Sequence, residues 1–137
     1  MYSKFVVYCG PMFSSKTTRL LSELDRYRIR KKDFLCFKPR IDDRYSEGEI
    51  VTHSGMKISA QLVEAGSEIL YHIVNYKGEE RPIIAVDEAF MIPGCADALI
   101  TLHQQGFNIL VSTIDLSASC IPFDEVTKIL PYATDIN

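Results

Sequence analysis

Ten residues constrain this chain more than any others: Cys9-Gly10-Pro11-Met12-Phe13-Ser14-Ser15-Lys16-Thr17-Thr18. The apolar run Phe5-Val6-Val7-Tyr8-Cys9 leads into them, and Arg19-Leu20-Leu21-Ser22-Glu23-Leu24, with helical spacing, leads out. Strand, small-residue loop, Lys-Thr and helix is the layout of a phosphate-binding P-loop. In that layout backbone N–H groups at the helix start surround the phosphates, and the helix dipole favours negative charge there. Lys16 would reach the outer phosphates as a point charge, and the Thr17 hydroxyl would hold Mg²⁺.

One residue departs from the G-x-x-x-x-G-K-[ST] pattern: Ser15 stands where the second glycine belongs. A β-carbon there crowds the phosphate path or strains the backbone, so weaker nucleotide binding is expected. The competing reading is a plain strand–turn–helix with a lysine at the helix start.

Further along, Ile83-Ile84-Ala85-Val86-Asp87-Glu88 reads as a buried strand ending in two acids. Set opposite a P-loop, Asp87 would bind Mg²⁺ and Glu88 would accept a proton from a substrate hydroxyl. Alone, acids at a strand end are common. The two stretches gain meaning from each other.

Continuous apolar runs at Phe5, Phe34, Ile83 and Ile109 suit strands covered on both faces. Between them lie helical patterns: residues 16–30 with Leu20, Leu21, Leu24 and Tyr27 inward, residues 67–77 capped by Ser67 with Ile69, Leu70, Ile73 and Val74 inward, and a helix from Pro93-Gly94 to Gln105. The expected fold is α/β, a mainly parallel sheet with helices on both faces. Pro39 should stop the second strand, Lys57 to Val63 should form an edge strand, and the tail from Phe123 should pack on the sheet edge. The turn-rich loop Arg40 to Gly48 follows a strand, where open α/β sheets place ligand contacts. Arg44 and Asp42 there would serve a nucleotide or pair with each other on the surface.

At 137 residues and 47% apolar the chain is expected to be a single domain, 1–137, with a real core. A net charge of -3 speaks against a nucleic-acid polymer as partner, and the basic cluster Arg26, Arg28, Arg30, Lys31, Lys32 reads as a solvated helix face. The four cysteines form no C-x-x-C pair, so neither zinc nor a disulfide framework is implied. No signal peptide and no membrane-length apolar run are seen, and a cytoplasmic location is expected. His53, without a metal partner in view, reads as a structural histidine.

Four markers in order then give a resemblance. Gly10-Pro11-Met12-Phe13-Ser14-Ser15-Lys16-Thr17, Phe37-Lys38-Pro39 with Asp42-Asp43-Arg44-Tyr45-Ser46, Thr52-His53-Ser54-Gly55, and Val86-Asp87-Glu88-Ala89 resemble the motifs of the thymidine kinases of cellular, bacterial and large-virus type. The resemblance implies a RecA-like P-loop domain that transfers the γ-phosphate of ATP to the 5′-hydroxyl of thymidine, with Mg²⁺ as cofactor. By position it implies that Gly10 to Thr17 hold the triphosphate, that Asp87, Glu88, Ala89 and Phe90 form the opposing segment, and that Glu88 is the general base. Arg44 would then approach the transferring phosphoryl group, and Met12 would line the thymidine pocket. A homotetramer is the assembly the family implies.

Some residues depart from the family pattern. Phe90 stands at the glutamine of the family's D-E-x-Q, and Ala118 where an aromatic would stack on the base, which is worth on the order of one to a few kcal/mol. The family pattern continues into a smaller zinc-bearing domain with a lasso loop, and the expectation for this chain is the P-loop domain without that part. A divergent relative that only binds nucleotide, or acts through assembly, is the alternative.

Overall fold

A computed structural model describes residues 3–10, 16–40, 49–51, 57–114 and 123–137. The first apolar run forms strand β1, Phe5–Gly10, and helix α1 follows over Lys16–Ile29. Strand β2 spans Phe34–Pro39, and the short strands β3, Glu49–Val51, and β4, Lys57–Ser59, form an antiparallel ladder of their own. Strand β5 covers Gln61–Val63, helix α2 Gly66–Val74, and strand β6 Ile83–Asp87. A single 3₁₀ turn at Ala89–Met91 leads to helix α3, Cys95–Gln104, and strand β7, Ile109–Ile114. Helix α4, Asp124–Ile129, and strand β8, Asp135–Ile136, complete the described chain.

The main sheet has the order β5-β2-β6-β7-β1-β8, with every pairing parallel. Parallel strands need crossovers, and those crossovers place helices over both faces. On one face Leu20, Leu21 and Leu24 of α1 bury against Val6, Cys36, Ala85 and Leu110. On the other, Ile69 of α2, Leu99 and Leu102 of α3 and Ile129 of α4 bury against Val7, Phe37, Val86 and Val111. Each fully buried leucine is worth about 1.5–3 kcal/mol of transfer free energy, so these stripes fix which side of each helix meets the sheet.

Pro39 ends β2 as expected, although other local expectations are corrected, and it still pairs with Val63 of β5. Its missing N–H costs nothing, because the Arg40 N–H bonds Val63 O and strand alternation turns the proline nitrogen toward β6, beyond the last β6 pair at Phe37 and Val86. Residues 57–63 are two strands rather than one, and only β5 forms the edge of the main sheet. Ser67 does not cap α2. The N-cap is Ala65, whose N–H donates to the Glu68 carboxylate at 3.1 Å, so the glutamate three positions on supplies the cap. That helix stops at Val74, which is 81% exposed instead of inward. In the tail, α4 packs against α3, while β8 takes the sheet edge beside β1.

Helices α2 and α3 start against each other. The Gly66 N–H donates to Pro93 O at 2.8 Å, and a β-carbon on Gly66 would fall 2.1 Å from the Gly94 carbonyl oxygen. Only glycine allows that approach.

Candidate functional site

The site lies where the carboxyl ends of β1, β6 and β7 meet the start of α1. Gly10 is the last residue of β1, and Lys16 and Thr17 open α1. Asp87 closes β6 and Glu88 follows it. The two halves touch through two side-chain bonds. The Lys16 ammonium donates to Glu88 Oε1 at 3.3 Å, and the Thr17 hydroxyl donates to Asp87 Oδ1 at 3.0 Å. These contacts join residues 72 and 70 positions apart in sequence.

Three of the four side chains are buried, Lys16 at 6% exposed, Asp87 at 0% and Glu88 at 1%, while Thr17 is half-buried. Burial pushes the Asp87 carboxyl up to about 6, and the adjacent Glu88 charge pushes the same way. Thr17, Ser112 and Lys16 pull it back in part. Glu88 takes the left-handed backbone region, φ 55 and ψ 46. That conformation costs a non-glycine residue on the order of 1 kcal/mol, and such strain concentrates at working sites. Here it turns the chain off the strand end so that Glu88 meets Lys16 while Asp87 meets Thr17.

Strand alternation continues the polar character sideways. The α1 face of β6 carries Ala85 and then Asp87, that of β7 Leu110 and then Ser112, and that of β2 Cys36 and then Lys38. Asp87 pairs with Ser112 in register, and the register that sets Phe37 against Val86 brings Lys38 level with Asp87. Lys38, Asp87 and Ser112 are all 0% exposed. The buried Cys36 thiol, held far above its usual range mainly by burial, feels both the Asp87 and the Lys38 charge. Asp87 Oδ2 and Ser112 Oγ have no hydrogen-bond partner among the described residues. Ser112 stands near enough to lower the Asp87 pKa, but it completes no bond to it. Neither Lys38 nor Ser112 stood out in the sequence as a site residue. The signal for Lys38 was a lysine inside a strand-like run, whereas Ser112 carried none without the register.

Past Glu88 the turn Ala89–Met91 presents Phe90, whose ring lies 4.7 Å from that of Phe123 at a tilt of 43°. Phe123 is the N-cap of α4, and α4 is tied down by Glu125, whose carboxylate accepts the Ala96 N–H at 2.8 Å at the start of α3. The aromatic pair therefore stands on a braced support beside Glu88. An open cavity of about 380 Å³ lies elsewhere, between Arg28, Cys36, Lys57, Ile58 and Gln61 near the amino end of β2. It does not border the charged cluster.

Residues 3–137 match the family model described as thymidine kinase. The chain belongs to the thymidine kinase family. Membership brings nucleoside kinase chemistry with ATP as phosphate donor, and the parallel sheet is the α/β fold of such a P-loop kinase domain.

Of the residues singled out in the sequence, the structure brings Gly10, Lys16, Thr17, Asp87, Glu88, Ala89 and Phe90 to one end of the sheet. Pro11, Met12, Phe13, Ser14, Ser15, Arg44, Asp42, His53 and Ala118 lie outside the described residues. Among the described residues no group of three or more His, Cys, Asp or Glu is placed to hold a metal ion, and no helix is long and apolar enough to cross a membrane. The basic cluster at the end of α1 is solvent-facing, with Arg26 paired to Glu23 and Arg28 to Asp25.

Proposed function

We propose that this chain is the phosphoryl-transfer domain of a thymidine kinase, moving the γ-phosphate of ATP to the 5′-hydroxyl of thymidine. The observation that carries the reading is the paired contact of Lys16 with Glu88 and of Thr17 with Asp87 across the sheet end. A lysine and a hydroxyl at a helix start, facing two buried acids, are the parts phosphoryl transfer requires.

In this reading the segment Gly10, Pro11, Met12, Phe13, Ser14, Ser15, Lys16 and Thr17 holds the triphosphate, and Lys16 leaves Glu88 for the phosphates. Glu88 then accepts the proton of the 5′-hydroxyl as its oxygen bonds to the γ-phosphorus. The bond from that phosphorus to the β,γ-bridging oxygen breaks, and its electron pair leaves with ADP. Arg44 approaches the transferring group, and Ala89 and Phe90 border the acceptor. The oxygen-only set of Thr17 Oγ1 and the unpartnered Asp87 Oδ2 fits Mg²⁺. When bound, that ion neutralises charge developing on the phosphate oxygens. The family also supports a homotetramer in the cytoplasm as the working assembly, and sedimentation tests the tetramer.

A second reading, a nucleotide-binding module without turnover, is favoured by Phe90, which packs on Phe123 where the family carries glutamine. One assay separates the two. Incubation with labelled ATP, Mg²⁺ and thymidine should give thymidine monophosphate, and Glu88→Gln should lower turnover at least ~10²-fold while leaving the ATP-dependent rise in melting temperature in place. Binding without product on any deoxynucleoside would favour the module. No ATP-dependent shift at all would overturn both.

A further inference from the structure

Four side-chain oxygens meet at one place on the α1 face. Thr17 Oγ1 bonds Asp87 Oδ1, and Asp87 Oδ2 and Ser112 Oγ remain buried and unpartnered among the described residues. A buried polar atom without a partner costs about 1–3 kcal/mol. Two such atoms side by side, on residues paired in register at the middle of a sheet, are not surface accidents. Ser112 also interrupts the pattern of its own strand, since Val6, Ala85 and Leu110 fill the same face one layer earlier. Its neighbour Thr113 is buried too, but it donates to the Ile114 carbonyl at 3.3 Å. The Ser112 hydroxyl is thus the odd one of the two. Hard divalent cations take oxygen donors and retain bound waters, so a hydroxyl beside a carboxylate is a fitting pair.

We propose that Ser112 is a further oxygen donor at this site, holding the hydrated divalent cation of the metal–nucleotide substrate together with Asp87 Oδ2. The proposal rests on the reading of Asp87 as the metal's acid. Thr17 approaches from the helix and Ser112 from the neighbouring strand, so Asp87 is flanked on two sides by hydroxyls. The competing account is a purely structural serine that closes on Asp87 and does nothing toward a ligand.

The test is Mn²⁺ binding to the ADP-loaded chain, followed by electron paramagnetic resonance, with melting of the metal-free protein beside it. Ser112→Ala removes one oxygen and leaves the volume nearly unchanged. The expected result is a loss of Mn²⁺ affinity of about ten-fold, with metal-free ADP affinity unchanged and the metal-free melting temperature unchanged or raised, since an unpartnered buried hydroxyl is removed. Unchanged Mn²⁺ affinity overturns the proposal, whatever happens to the melting temperature. An equal loss for metal-free ADP also overturns it, since the effect would then belong to the nucleotide. If wild type binds ADP but no Mn²⁺, the metal reading of Asp87 fails and the role of Ser112 fails with it, a result distinct from a silent Ser112→Ala.

Discussion

The two faces of the same sheet are built on opposite terms. Facing α2, α3 and α4, the strands present Phe5, Val7, Phe37, Ile84, Val86, Ile109 and Val111, apolar up to Thr113 near the end of β7. Facing α1 they present Val6, Cys36, Ala85 and Leu110, and then, at the carboxyl ends, Lys38, Asp87 and Ser112. Successive residues of one strand serve the two purposes, Val86 one and Asp87 the other. A shift of a single residue in the register would move every charge into the apolar core. The contrast shows where stability resides and where it is given up. One face gains from burial, while the other end of the same sheet keeps two acids and two lysines out of water at a cost in desolvation.

The largest effect should come from damaging the apolar face. Leu99 is fully buried in α3 against the sheet. Leu99→Ala removes transfer energy and leaves a void, and should cost about 3 kcal/mol, within the 2–5 kcal/mol typical of such changes. Urea denaturation reads it as a lower midpoint at unchanged slope. The opposite-face partner is Ser112→Ala, which should cost nothing in the metal-free protein. If both variants lose stability equally, the division of labour between the faces is wrong.

The acid cluster offers an intermediate effect with a definite sign. Asp87 is raised from 3.8 to about 6 by burial and by Glu88. The folded state therefore binds this proton more tightly than the unfolded chain. Below pH 4 both states are protonated, and the contribution is fully present. It is lost as pH rises from about 4 to about 6, and remains lost above that. The difference in proton affinity between the two states corresponds to roughly 3 kcal/mol. In metal-free and nucleotide-free protein, the stability difference between wild type and Asp87→Asn should thus move in wild type's favour on acidification from pH 7 to pH 4. A difference that is flat with pH would mean that Asp87 is less buried or better partnered than its surroundings indicate. Saturating Mg²⁺ and nucleotide should shrink the pH dependence, because a bound cation favours the ionised carboxylate.

Much of this division was legible in the sequence, and for identifiable reasons. Continuous apolar runs gave β1, β2, β6 and β7, because strands buried on both faces cannot alternate with polar residues. Lys16-Thr17 was legible from the strand, loop and helix layout around it, and Asp87-Glu88 only in combination with it, since acids at a strand end are common on their own. Ser112 was hidden because its meaning depends on which strand lies beside β7, and the order β6-β7-β1 is a tertiary fact. Lys38 was visible only inside the Phe37-Lys38-Pro39 marker, because its place level with Asp87 depends on β2 lying beside β6. The cap of α2 was misplaced because Glu68 caps at a distance, through the backbone N–H of Ala65. Strand β8 is two residues long, too short for any periodicity to register.

The smallest effect sits at the far end of α1, the helix over the charged face. Helix α1 closes with the Lys31 N–H bonded to Arg28 O at 3.0 Å and the Lys32 N–H to Tyr27 O at 2.9 Å. That pair of bonds requires a left-handed residue, and Lys31 fills the position at φ 59. Glycine adopts this conformation without the β-carbon penalty, but it gives the unfolded chain more freedom, and losing the lysine charge weakens a favourable interaction at the helix end. The first effect is the larger, so Lys31→Gly should stabilise by about 0.5 kcal/mol, seen as a small rise in urea midpoint. Lys31→Ala, which removes the charge and keeps the β-carbon, should be neutral or slightly destabilising. Because Lys31 lies a full helix away from Thr17, Mn²⁺ affinity should not change in either variant. A loss of stability in Lys31→Gly would mean that charge, not backbone geometry, sets the end of α1. A change in metal affinity would mean that the far end of the helix reaches the site after all, and the separation of supporting and working parts would have to be redrawn through α1 itself.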